Sequence, residues 1–440
     1  MPPLSIPSKR TVFAIWVGWV VIMMTYFVLV PARFSVVRPD YVLSWTADST
    51  RTGGAQDAKH YLQDPTLARH VAWDSEYYLA IALGGYEDPH PDRVGESFGP
   101  VRTGGGFWPF VIPEMSGSAR SGLSLSYAFF PLYPFLMRVL SLPLSVLGLS
   151  PIGTATMAGV VISMLGALAG ALAIFELARD ELGPEGGLRA AFYLLIFPSS
   201  FFLAVVYTEG LFVGLAFSSL LLLRRGHRGW AAAVAVLATF TRAVGVALVV
   251  PLLISWIQEG EWLELDLEWR QLYFKGLPWK ALGHALLVLL PLLAFVVWRF
   301  SYFGMAFSRV EEVFFGRGFL SLGDTYAAWR EAFYSLFGEN GQTAVYYAVE
   351  FAAIILGFTA CIAGLRKYPD LAWFGLLVVV LSFTSGPAQG MYRYVLAAPP
   401  IYLFLSNLGR KPAFDRLWTT ASILVMGVMA TMFMFDMWAG

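Results

Sequence analysis

Long apolar runs alternate with short polar connectors along this chain, and two polar segments stand out by their length. Lys9 and Arg10 precede about twenty mostly apolar residues, Thr11 to Val30, enough for a helix to cross roughly 30 Å of hydrocarbon. No small-x-small cleavage pattern closes that run, so it reads as a retained first span. Its basic flank places the N-terminus in the cytoplasm and the next segment on the outer face, with Arg33 and Arg38 pulling against that orientation. Residues 32–123 then form a first outer-face loop, too long for a connector and read as a cap with short amphipathic helices. Further runs follow at 126–149, 151–178, 188–223 and 230–257, and near 282–303, 343–365, 371–385, 391–408 and 416–438. A second polar segment fills 304–342, and the Trp- and Glu-rich stretch 258–280 is expected to lie amphipathically on the membrane. The pattern predicts an all-α polytopic membrane protein, a single integral membrane domain over 1–440 with about ten or eleven spans.

Counting the runs exposes a conflict. The cluster Arg224, Arg225, His227 and Arg228 predicts a cytoplasmic loop, so an odd number of crossings must separate it from the outer loop. The runs suggest four when 188–223 counts as two. Either the proline-rich run 126–149 is re-entrant or interfacial, or the cluster departs from the positive-inside tendency.

Composition fits a bilayer as second solvent. Of 440 residues 57% are hydrophobic and only 14% charged, against about 25% charged in soluble domains. A formal net charge of zero gives no footing for nucleic-acid binding. The single cysteine, Cys361, lies in an apolar run and supports neither a disulfide framework nor a cysteine metal site. Asp88-Pro89-His90-Pro91-Asp92 offers oxygen and imidazole ligands, but its prolines fit a solvated turn and no second ligand cluster accompanies it. No metal and no other cofactor is therefore expected. Thr103-Gly104-Gly105-Gly106-Phe107 lacks the Gly-Lys-Ser/Thr of a phosphate loop and reads as a flexible loop.

Four charged positions carry the chemistry. Read as a helix, residues 70–81 stack His70, Asp74, Tyr77, Tyr78 and Ile81 on one face, with Trp73 and Glu76 facing elsewhere. A carboxylate among aromatic rings near a bilayer suits a general base; it equally suits a cap on an interfacial helix. Glu209 falls in Tyr207-Thr208-Glu209-Gly210, which with Phe197-Pro198-Ser199-Ser200 interrupts an apolar run, so it faces a polar cavity, a partner or a loop. Arg242 lies too deep in its run to snorkel easily and calls for an anion, a phosphate or a carboxylate. Arg393, between Tyr392 and Tyr394, opens a later span.

Taken in order, Trp73-Asp74-Ser75-Glu76-Tyr77-Tyr78 with Gly85-Tyr86, Phe129-Phe130-Pro131-Leu132-Tyr133-Pro134, Phe197-Pro198 with Tyr207-Thr208-Glu209, Thr241-Arg242 with Gly245, and Arg393-Tyr394 form a set. That set resembles the bacterial relatives of the phosphatidylinositol-glycan class V mannosyltransferases, in the GT-C superfamily of polytopic glycosyltransferases. The resemblance implies an inverting hexosyltransferase that moves mannose or a related hexose from a polyprenyl-phosphate donor to a lipid or glycan acceptor, at the extracytoplasmic face of the plasma membrane. Asp74 matches the family's catalytic aspartate, although Ser75 and Glu76 stand where the family often has small residues. Arg242 and Arg393 would then stabilise the departing phosphate, Tyr207 and Glu209 would line the sugar or hold Arg242, and His70, Glu76 and Tyr78 would complete the substrate site around Asp74. A transporter or lipid flippase is the competing class; it often carries paired interruptions in two halves, which this chain lacks.

Overall fold

Within hydrocarbon a backbone amide finds no water, so each apolar run closes its hydrogen bonds internally as helix. The computed structural model describes residues 8–34, 59–88, 123–258, 263–266, 271–274 and 279–439. Most of the first outer-face loop, including the 89–92 part of the proline-flanked turn and the glycine run at 103–107, lies outside them. In chain order come α1 (Lys9–Arg33), α2 (Asp74–Gly84), α3 (Leu132–Leu144), α4 (Pro151–Leu195), α5 (Glu209–Arg224), α6 (Arg228–Thr241) and α7 (Val249–Gln258). Strands β1 (Leu263–Asp266) and β2 (Gln271–Phe274) follow, then α8 (Trp279–Arg299), α9 (Tyr302–Val313), α10 (Leu322–Ser335) and α11 (Gly341–Gly364). The last four are α12 (Pro369–Phe383), α13 (Met391–Tyr394), α14 (Pro399–Leu408) and α15 (Pro412–Met434).

Among the described residues four helices, α1, α4, α11 and α15, are long and apolar enough to cross a membrane by themselves, and a fifth span arises if α8 and α9, bent by 78°, count as one. Further crossings of the expected ten or eleven would rest on shorter apolar helices, Leu132–Leu147, Arg228–Thr241, Ala243–Gln258 and Pro369–Phe383. Where a surface-lying amphipathic segment was expected over 258–280, β1 and β2 pair antiparallel, Leu263 opposite Phe274 and Asp266 opposite Gln271. Leu263-Glu264-Leu265-Asp266 alternates with a period of two, which is the strand's period and not the helix's.

The core is built around α4, which packs against α1, α3, α5 and α14. Ser150 caps it by accepting from the Gly153 amide at 2.9 Å, with Pro151 in the first turn. Gly183, at φ 78°, breaks it, and Pro184 starts a second piece running back. The first piece meets α5 backbone to backbone. A Cβ at Gly210 would overlap the Ser163 carbonyl, and one at Gly166 would overlap that of Gly210, so these glycines set the separation of the two helices.

Contacts fix which ends share a side. Lys9, at the start of α1, lies 3.6 Å from Glu176, which also receives Arg225 at 3.2 Å. Near its other end, α1 stacks Phe27 on His70 at 4.4 Å. The chain before α3 meets α2 through the Tyr77–Phe129 stack, and Ser150, just after it, bonds Asp64, so the 126–149 run begins and ends on the Asp74 side. From there α4 runs to Glu176, its second piece leads back to the point where the Val206 amide donates to the His70 carbonyl at 3.1 Å, and α5 runs again to Arg224 beside Glu181. Three passes between these two ends, by the two pieces of α4 and by α5, separate Asp74 from the basic cluster, an odd number, whereas the proline-rich run starts and finishes at the same end. The cluster itself is matched by acids: Arg224 forks onto Asp370 at 2.7 and 2.8 Å and reaches Glu181 at 2.9 Å, while Arg225 holds Asp180 at 2.8 Å.

Candidate active site

The stretch expected to run as one helix from His70 to Ile81 is broken at Trp73, whose φ of 55° and ψ of −117° lie outside the regions open to most non-glycine residues. The helix therefore begins at Asp74, and His70 does not share its face. Remote contacts hold Trp73 in that conformation. Its indole donates to the Met437 carbonyl at 3.2 Å, and Trp438 stands edge-on to it at 4.8 Å. At the first position of α2, Asp74 sits where the helix dipole favours an anion. Its amide donates to the Tyr207 hydroxyl at 3.2 Å, and its Oδ2 accepts from Arg393 Nη1 at 3.0 Å. The side chain is 25% exposed, so the carboxylate remains reachable from outside the ion pair.

Glu209 opens α5 in the same way and is 3% exposed. It bridges two guanidinium groups: Arg242 bonds its Oε1, and Arg393 Nε stands 3.3 Å from the same oxygen, close enough for charge attraction but without hydrogen-bond geometry. Arg242 also points Nη1 at the Thr208 hydroxyl, 3.4 Å away. The result is a buried ladder, Asp74–Arg393–Glu209–Arg242, two anions alternating with two cations. Aromatic faces enclose it. Arg393 lies over Tyr207 at 5.2 Å, Phe202 at 5.5 Å and Tyr394 at 5.1 Å, and Arg242 over Tyr394 at 5.0 Å. Tyr78 lies beneath, its hydroxyl 3.4 Å from that of Thr208 and its ring edge-on to Tyr133 and Tyr207.

Six of the eight sequence-designated residues thus converge: Asp74, Tyr78, Tyr207, Glu209, Arg242 and Arg393. The other two lie elsewhere. His70 is buried against Phe27 with neither ring nitrogen hydrogen-bonded, and burial pushes its pKa down to about 4. Glu76 turns toward Tyr61, whose hydroxyl pKa it helps to raise by its charge, after burial and Asp88.

Three residues join that sequence reasoning left in a polar segment or passed over. Arg317, after α9, lies over the same Tyr394 ring at 5.4 Å and donates to Ser385 Oγ at 3.1 Å. Glu311 is within electrostatic reach of Asp74, Arg242 and Arg317. Glu350 holds the turn before Arg393. A carboxylate inside an expected apolar span was a usable signal for Glu350, whereas charges in the 304–342 segment looked ordinary. A cavity of about 20 Å³, room for about one water, opens between Glu209, Arg242, Arg393, Tyr394 and Ser382. A wider depression of about 580 Å³ lies by His227, Arg228 and His284, on the far side, and its lining includes none of the ladder residues.

Fold and site together define a polytopic helical membrane protein with a ladder of alternating charges that is open at an aspartate. Residues 120–337 match the model of the mannosyltransferase (PIG-V) family. Over that stretch, just under half of its length, the chain is similar to this family. No curated protein matches it closely enough to count as a relative. Among solved structures it is similar to ArnT from Cupriavidus metallidurans bound to undecaprenyl phosphate, at 14% identity and TM-score 0.45, covering 93% of this chain and 63% of that one. It is also similar to the Archaeoglobus fulgidus oligosaccharyltransferase in complex with Zn and sulfate, at 14% identity and TM-score 0.44, covering 96% and 53%. The chain therefore spans less than two thirds of the length of either.

Proposed function

We propose that the protein is an inverting hexosyltransferase that moves mannose from a polyprenyl-phosphate carrier to a hydroxyl of a lipid or glycan acceptor. The reaction takes place on the Asp74 side of the membrane. Lys9 and the Arg224–Arg228 cluster share the opposite side, which supports an extracytoplasmic active site in a plasma membrane. The observation that carries the reading is the 3.0 Å pair between Asp74 and Arg393 at the open end of the ladder.

An acceptor hydroxyl gives its proton to Asp74 while its oxygen attacks the anomeric carbon from the face opposite the phosphate. The bond from that carbon to the phosphate oxygen breaks, and the electron pair leaves with polyprenyl phosphate. Asp74 becomes neutral as the phosphate gains its second negative charge. Arg393, held by Asp74 until that moment, is freed when the leaving group needs a cation. Arg242 and Arg393 start out matched by Glu209 and Asp74, so they are not idle cations awaiting a phosphate. Arg317 makes no ion pair within 4.0 Å among the described residues, and it supplies the first attraction for the donor.

Purified protein in lipid, given polyprenyl-phosphate mannose labelled in the sugar and a mixture of lipid and glycan acceptors, tests this reading. Transfer with inverted anomeric configuration is expected. Retention of configuration would remove the single-displacement mechanism. If every acceptor fails while labelled lipid crosses the bilayer, the chain is a translocase.

A further inference from the structure

Glu350 lies in the middle of α11 and is fully buried, with no cation bonded to it among the described residues. A carboxylate at such a depth needs donors in place of water. It finds them in the turn that carries Arg393. Its Oε1 accepts from the Gly390 amide at 2.6 Å and from the Tyr346 hydroxyl at 2.6 Å, and its Oε2 accepts from the Tyr392 amide at 3.1 Å. Gly390 is held at φ 80°, and its carbonyl in turn receives the Arg393 and Tyr394 amides at 3.1 Å each. Arg393, the residue after Tyr392, reaches the Asp74 carboxylate at 3.0 Å.

The same carboxylate is tied to the other half of the pair. Tyr346 accepts from the Trp438 indole at 3.0 Å, Trp438 packs edge-on to Trp73, and Trp73 is the strained residue immediately before Asp74. One fixed anion therefore sits where two supports meet, one leading through Gly390–Tyr392 to Arg393 and one leading through Tyr346 and Trp438 to Asp74. Ser199 adds a further fixing bond, donating to the Tyr392 carbonyl at 2.6 Å.

We propose that Glu350 is a positioning residue that sets the distance between Arg393 and Asp74, and so the coupling of proton uptake to release of the arginine. The inference rests on the reading of Asp74 as the base. Glu350 touches neither substrate nor reacting atoms. Its three accepted bonds require both oxygens to be acceptors, and an amide offers only one, so Glu350→Gln sets an N–H against one of the backbone amides.

In the mannose-transfer assay, Glu350→Gln is expected to lower kcat per folded molecule by about 10- to 100-fold, the scale of an ångström of misplacement, with the donor KM changed by less than about threefold. In an Arg393→Lys background the same substitution should cost less than about threefold, because its effect runs through the Arg393 side chain. Equal losses in both backgrounds, or an unchanged kcat per folded molecule, would overturn the proposal and leave Glu350 a fold-holding residue. Should Glu350→Gln fail to fold, Tyr346→Phe keeps its ring while removing the bonds to Glu350 and from Trp438, and Trp438→Phe removes the indole donor while leaving an aromatic ring in its place; kcat reductions of about 3- to 10-fold are expected in place of none. A structure of Glu350→Gln, or of Tyr346→Phe if the former does not fold, separates this proposal from the proposed function. An Arg393 still 3.0 Å from Asp74 there sinks the positioning role whatever the turnover, and a wild type that transfers no sugar sinks only the function.

Discussion

Replacing Glu209 by glutamine removes one charge from a ladder that is neutral as it stands. Glu209 is 3% exposed, and its two partners, Arg242 and Arg393, have side chains 20% and 9% exposed. Truncating one member of a buried ion network strands its partner's charge, at a typical cost of about 3–5 kcal/mol. Arg393 keeps Asp74 after the change, so the stranded charge is chiefly that of Arg242. Its partial exposure, its contact with Thr208 and the Tyr394 face point to the lower end, about 3 kcal/mol. Removing both charges, as in Glu209→Gln with Arg242→Gln, should recover most of that loss, since a matched pair can often be replaced at little net cost. The assay is unfolding of wild type, both single variants and the double variant in one detergent, read as a double-mutant cycle. A Glu209→Gln protein within about 0.5 kcal/mol of wild type, or a double variant no more stable than the single, would refute the ladder as described.

Stability should also fall with acidity through His70. Its ring is buried neutral, with a pKa pushed from 6.5 down to about 4, so between those values the unfolded chain takes up a proton that the folded one refuses. The expected loss on going from pH 6.5 to 4 is roughly 3 kcal/mol at about 1.4 kcal/mol per pH unit, and His70→Phe should flatten that part of the profile; a profile unchanged in the variant counts against it. Arg317→Ala should raise the donor KM by about 10-fold while leaving unfolding within about 1 kcal/mol, since its only side-chain hydrogen bond among the described residues is to Ser385. Unchanged donor KM would assign Arg317 to packing on Tyr394.

Most of the ladder was legible because ions are expensive in hydrocarbon. Glu209, Arg242 and Arg393 interrupt apolar runs, and the order of the motifs pointed to Asp74. What could not be read is which charge meets which. The sequence left Arg242 a choice of phosphate or carboxylate and Glu209 a choice of the sugar or Arg242, and the fold joins the two. His70 was misplaced because a helical register assumed over 70–81 breaks at Trp73, and that break is held by Met437 and Trp438, more than 360 residues away. Arg317 and Glu311 were hidden in a polar segment, where charge carries no signal until the segment is docked on Ser385 and Tyr394. The parity conflict was visible in the sequence, but which of its two resolutions holds was not. The resolution follows from pairs such as Lys9 with Glu176 and Ser150 with Asp64, which no local pattern announces.

The central claim is that Asp74 takes the acceptor proton and, in doing so, releases Arg393. Asp74→Asn tests it most directly, with transfer from polyprenyl-phosphate mannose and donor affinity measured on the same purified sample. The account predicts a loss of transfer of at least about 100-fold, as for removal of a general base, with donor affinity equal to or tighter than wild type because Arg393 no longer has a charged partner. Transfer near the wild-type rate would contradict it.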